Sequence, residues 1–195
     1  MKKYIAEALG TFALSLTVAL SLVGHFPIPT PVLAALVLGL FVYSVGHLSG
    51  THINPAVTIG AWSIQKISRN DAIMYIIAQF IGAGATLGTL AFLGINSTGL
   101  AVFNNLTIGG AEALGTFFFT FGIASVIYGK APQGFSGLVV GGSLLFGIAI
   151  AVMLGSNGVL NPAVALGIQT FSLAYVLGPI IGSVLGMQVY KALHT

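Results

Sequence analysis

Six apolar stretches, at about 4 to 24, 32 to 51, 71 to 94, 107 to 128, 135 to 155 and 173 to 193, take up most of this chain. Each is close to the ~20 residues that an α-helix needs to cross a bilayer core of ~30 Å. With 56% hydrophobic and 5% charged residues among 195, the chain has too little polar surface to cover a soluble globule. It reads as an all-α integral membrane protein, in contact with membrane lipid. The first stretch follows Lys2 and Lys3 as a signal peptide would, but it carries Glu7 and ends without a small-x-small cleavage site, so it reads as a retained span.

The charges order the spans. Lys2 and Lys3 precede the first, Lys66 and Arg69 precede the third, Lys130 lies between the fourth and fifth, and Lys191 is at the end. Segments 25 to 31, 95 to 106 and 156 to 172 carry no Lys or Arg. Threading six spans puts every cation on one side, which the positive-inside rule makes cytoplasmic, with both termini there. Short termini and loops suit a bacterial inner membrane. The formal charge of +3 is spread out, with no cluster for nucleic acid, and the absence of Cys removes disulfides and thiolate chemistry. No catalytic residue, metal site or cofactor is expected. Gly134-Phe135-Ser136-Gly137 matches an intramembrane protease pattern, but no span supplies a partner His.

The chain is also duplicated. Ala6-Glu7-Ala8-Leu9-Gly10-Thr11-Phe12 recurs letter for letter 105 residues later, starting at Ala111, and Asn54-Pro55-Ala56-Val57 recurs 107 residues later as Asn161-Pro162-Ala163-Val164. Tyr75 and Gly82 are echoed 100 residues on by Tyr175 and Gly182. The repeats are about 1 to 103 and 104 to 195, in one domain. Since each holds three spans, the second enters the membrane from the opposite face, an inverted 3+3 repeat.

Each Asn-Pro-Ala-Val reads as a helix start, because Asn is a strong N-cap and Pro is favoured at the first helical position. The apolar run after Asn54 lasts to Trp62 or Ile64, and that after Asn161 to about Phe171. At roughly 10 residues and 15 Å, each is half a membrane-spanning helix. The inversion brings the two in from opposite sides, so that Pro55, Ala56, Pro162 and Ala163 form facing N-termini at the midplane.

With these boxes, the Ala-Glu-x-x-Gly-Thr-Phe start of each half and the run Val45-Gly46-His47-Leu48-Ser49-Gly50-Thr51-His52-Ile53 before the first box, the chain resembles the aquaporin, or major intrinsic protein, family over its whole length. The resemblance implies a right-handed bundle of six transmembrane helices plus two re-entrant half-helices, assembled as a homotetramer. Asn54 and Asn161 would cap their half-helices and turn amide N–H groups to the lumen as donors. The paired positive helix ends would repel cations and protons. Backbone carbonyls of Gly50, Thr51, His52 and Ile53 on one side, and of Asn157, Gly158, Val159 and Leu160 on the other, would complete the lining. Glu7 and Glu112 resemble the family's buried acids that hold these loops; a proton relay, or a water-facing Glu7, are the competing readings. His47 and His52 are read as loop packing ahead of a pH gate, and His25 and His194 as solvated ends. Gly84 with Gly88, and Gly178 with Gly182 and Gly186, are expected as helix-packing surfaces.

One departure from the family bears on selectivity. Most members carry Arg one residue after the second box, where this chain has Val164. By family spacing the other outer-constriction positions fall at Ala34, Ala149 and Gly158. All four are small or aliphatic, so the expected pore conducts water with relaxed selectivity. A channel mainly for small neutral solutes such as glycerol, urea or ammonia is the alternative, and a proton-coupled secondary transporter comes behind both.

Overall fold

A computed structural model of the chain describes residues 1–24, 26–96 and 100–194; His25 lies outside the described residues. The helices among them are α1 (Lys2–Val23), α2 (Thr30–Ser49), α3 (Pro55–Ser63), α4 (Arg69–Phe92), α5 (Leu106–Ile127), α6 (Ser136–Met153), α7 (Pro162–Gly167) and α8 (Leu173–His194). All but α3 and α7 are long and apolar enough to cross a membrane. Local signals set several starts. The Ser68 side chain accepts from Asp71 N at the head of α4, and Asn105 accepts from Ile108 N at the head of α5.

The packing is that of a protein solvated by lipid. Leu36, Leu40, Ile81, Leu138 and Leu173 lie exposed on the outside, while Glu7, Thr11, Thr58, Gln79, Glu112 and Thr116 are fully buried. With no water in the hydrocarbon region, polar groups must find partners inside the bundle. Small residues let the helices close on one another. A Cβ on Gly182 would fall within the Ala113 carbonyl of α5, and one on Gly82 within the Ala8 carbonyl of α1. These are equivalent positions of the two repeats. Gly84 and Gly88 differ from expectation, because a Cβ at either meets no atom within 4 Å, so they do not pack helices within the chain.

In each half the first helix is the hub. α1 packs on α2 and α4, α5 packs on α6 and α8, and α2 against α6 joins the halves. The half-helices cross over: α3 of the first repeat packs chiefly on α8, and α7 of the second on α4 and α1. One end of the bundle gathers basic groups. Lys3 pairs with Asp71 at 2.8 Å, joining the starts of α1 and α4. Lys66, between α3 and α4, lies 4.4 Å from the ring centroid of Tyr128 at the end of α5, which in turn meets Tyr190 near the end of α8.

α7 is shorter than the sequence suggests, with 6 residues where α3 has 9. Both end in the same way. Gln65 and Gln169 take left-handed φ angles of 63° and 61°, and the next N–H turns back five residues, Lys66 N to Ala61 O at 2.9 Å and Thr170 N to Ala165 O at 2.8 Å. These are Schellman endings with Gln in the position usually held by Gly. In the second repeat the ending comes about one turn earlier, so the apolar residues up to Phe171 continue outside the helix.

Candidate functional site

The two box asparagines meet at the centre of the bundle, 2% and 3% exposed. Asn54 Oδ1 accepts from Ala56 N at 2.8 Å, and Asn161 Oδ1 accepts from Ala163 N at 3.0 Å and Val164 N at 3.3 Å. The caps therefore orient both side chains, with Pro55 and Pro162 opening the helices behind them. The amides then reach across the junction between repeats: Asn54 Nδ2 donates to Leu160 O at 2.9 Å, and Asn161 Nδ2 to Ile53 O at 3.0 Å. An amide nitrogen has two hydrogens, so each Asn keeps one beyond these bonds.

The approach loops are strained in matching places. Gly50, Thr51 and Ile53 have φ of 80°, 53° and 40°, and Gly158 and Leu160 have 67° and 53°. Left-handed backbone costs about 1–2 kcal/mol at a non-glycine residue, and a β-branched residue such as Ile53 is a rare occupant. Buried carboxylates hold the geometry. Glu7 accepts from Ser49 Oγ at 2.7 Å, His52 N at 2.9 Å, Ile53 N at 2.6 Å and Gln79 Nε2 at 2.8 Å. Glu112 accepts from Ser156 Oγ, from Val159 N at 3.0 Å and from Leu160 N at 2.6 Å. Both acids are fully buried, which rules out the water-facing reading of Glu7. Tyr75 and Tyr175 brace the same loops from equivalent places, Tyr75 OH donating to Ser49 O at 2.9 Å and Tyr175 OH accepting from Asn157 Nδ2 at 2.7 Å.

Two cavities lie along the approach loops, and Asn54 and Asn161 line the smaller one. The one toward the basic end, about 520 Å³, is lined by Gly50, Thr51 and His52 together with Lys66, Asp71 and Tyr75. The other, about 260 Å³, is lined by His52, Ile53, Asn54, Asn157, Gly158, Val159 and Asn161 along one wall, and by apolar side chains such as Leu14, Val18, Phe119 and Leu144 elsewhere. His52 touches both. Leu160 is in neither cavity lining; its side chain is fully buried, and its carbonyl accepts one hydrogen bond, from Asn54. The Ile53 carbonyl is likewise bonded to Asn161. His47 is exposed on α2, away from either cavity lining.

Three of the four outer-constriction positions, Ala34, Gly158 and Val164, line the smaller cavity. Ala149 does not; it is exposed on the outer face of α6, and Ile148, 6% exposed, lines the cavity instead. One residue is about 100° of helix rotation, enough to exchange lumen for lipid. Gly158 and Ile148 are tightly opposed, since a Cβ on Gly158 would lie 3.0 Å from Ile148 Cγ2. Sequence reasoning also missed Gln79 and Thr58, although the polar Gln79 within an apolar span was a visible signal.

The model of the family described as Major intrinsic protein matches residues 1–190. Aquaporin AqpM of Methanothermobacter thermautotrophicus is 30% identical, covering 98% of this chain and 97% of its own. Glycerol uptake facilitator protein-like 6 of Lactiplantibacillus plantarum is 36% identical, with 95% and 94% covered. Among solved structures, the aquaglyceroporin from Plasmodium falciparum superposes with a TM-score of 0.70 at 21% identity, covering 99% of this chain and 94% of its own.

Proposed function

This chain belongs to the major intrinsic protein family, and from that premise we propose that it conducts water with relaxed selectivity while excluding protons and ions at its paired Asn-Pro-Ala boxes. It is a membrane-embedded channel for water or small solutes, and it is not an enzyme. The finer reading rests on the crossing of the two Asn amides at the wall of the smaller cavity. Each leaves one N–H for the oxygen of a neutral molecule. The positive ends of α3 and α7 face one another there, so a cation or a proton-conducting water orientation is disfavoured.

Relaxed selectivity rests on Ala34, Ile148, Gly158 and Val164. None carries a charge or a side-chain donor, so charge exclusion falls to the midplane. The alternative, a channel mainly for glycerol, urea or ammonia, draws on the same apolar wall and on the resemblance to a glycerol facilitator-like protein. Proton-coupled transport finds less support, because Glu7 and Glu112 are enclosed and have every oxygen engaged. We further assign the basic end and both termini to the cytoplasm, the chain to a bacterial inner membrane, residues 1–195 to one channel domain of two repeats, and the assembly to a homotetramer.

Stopped-flow light scattering on proteoliposomes tests the reading. Water permeability above that of empty liposomes, with measurable urea and glycerol entry, is expected. Permeability equal to that of empty liposomes would contradict conduction, and water without either solute would contradict the relaxed filter.

A further inference from the structure

The two cavities share a single lining residue, His52, and three helices pass from one cavity to the other within about one turn. On α2 the lining changes from Leu38 to Val42, on α5 from Phe119 to Ile123, and on α6 from Leu144 to Val140, the first of each pair bordering the smaller cavity. Each change spans four residues, about 6 Å along a helix axis. On the half-helix α3, Asn54 borders the smaller cavity and Val57 the larger. Between these two levels lies a short waist that belongs to neither cavity.

The waist is apolar on its helical sides. Leu38, Val57, Phe119, Ile123, Val140 and Leu144 are all buried, and none has a side-chain donor or acceptor. Asn54 and Asn161 border only the smaller cavity, while Thr51, Lys66, Ser68 and Asp71 border only the larger. The midplane donors and the polar groups of the basic end therefore lie on opposite sides of it. The outer wall of Ala34, Ile148 and Val164 is apolar as well, but it borders about 260 Å³ of space. Several waters fit there at ~30 Å³ each and can bond to one another. A water in the waist has no such company, and hydrophobic constrictions of this kind obstruct a pore by dewetting it.

We propose that this waist, on the basic-end side of the asparagines, is a second constriction of the pore and the one that limits the rate of water permeation, with Val57, Ile123 and Val140 as its determining residues. The inference rests on the channel reading. The two constrictions act in series and differ in kind. The outer wall sorts solutes by the room it leaves them, and the waist sets how fast water crosses, by the hydrogen bonds that a molecule gives up there. Its resistance follows polarity more than width.

That difference supplies the test. Exchanging Val for Thr replaces a methyl by a hydroxyl with little change of shape. In a helix the Thr hydroxyl can donate to the carbonyl four residues back and still offer a lone pair. Val140→Thr on α6 and Val57→Thr on α3 place such a group on two different walls of the waist, and Ile123→Val widens it without adding polarity. The full chain and the three variants, each matched to the wild type by gel filtration in detergent, are compared in proteoliposomes by stopped-flow water permeability per protein. Each folded Thr variant should exceed the wild type about three- to tenfold, the effect of one hydrogen bond regained, and Ile123→Val should change less. A folded Thr variant with unchanged permeability, or a larger gain in Ile123→Val than in either Thr variant, would overturn the proposal while a conducting wild type leaves the channel reading standing. Wild type and variants all equal to empty liposomes would overturn both.

Discussion

Val164 and Ile148 carry the selectivity argument at the level of single side chains. Replacing Val164 by Arg puts a charged, donor-rich group into a cavity of about 260 Å³. Urea and glycerol uptake should then fall about tenfold or more, which corresponds to an added barrier of about 1.4 kcal/mol, while water flow persists. Unchanged solute uptake in stopped-flow swelling would count against the assignment. The neighbours on α6 give a second comparison. Ile148→Ala should raise glycerol entry relative to water, and Ala149→Leu should leave that ratio unchanged because it faces outward. Counting residues back from Asn161 misplaces this position by one. No amphipathic pattern could correct it, since Phe146, Ile148, Ala149 and Ile150 are all apolar and the helix is hydrophobic all round. The asparagines were easier to read, because a cap has a sequence signature and a helix face in lipid has none. What the sequence did not reveal was where their amides go: the bonds to Leu160 O and Ile53 O span more than 100 residues.

The half-helices show the same contrast at the scale of elements. Their starts were legible from Asn and Pro, and their ends were not, because Gln65 and Gln169 occupy left-handed positions where Gly is usual. The apolar run accordingly puts the end of α7 near Phe171, while the helix closes at Gly167. Relief of that backbone strain is measurable. Gln65→Gly and Gln169→Gly should each stabilise the protein by about 0.5–1 kcal/mol, the gain at φ > 0 less the entropy cost of Gly. The thermal midpoint in detergent should therefore rise for both, and a fall would mean that the Gln side chains contribute more than their backbone costs. The long helices were the most legible elements, since a ~20-residue apolar stretch in a lipid-solvated chain admits little else. Gly84 and Gly88 illustrate the limit: their spacing suits close contact, but only the three-dimensional arrangement decides which helix face is inward.

At the scale of the whole molecule, the duplication explains why two short helices from distant parts of the chain meet. Each repeat lends its half-helix to the other, α3 to α8 and α7 to α4 and α1, and each repeat's buried acid holds its own approach loop. On the proposed function, the junction passes neutral molecules and stops protons, with the outer wall contributing no charge. The most direct measurement places a pH-sensitive dye inside proteoliposomes, imposes a proton gradient with valinomycin present, and records water permeability on the same preparation. Water permeability well above that of empty liposomes, with proton entry no faster than theirs, is the predicted result. Proton entry that rises with the amount of protein in the membrane would contradict it.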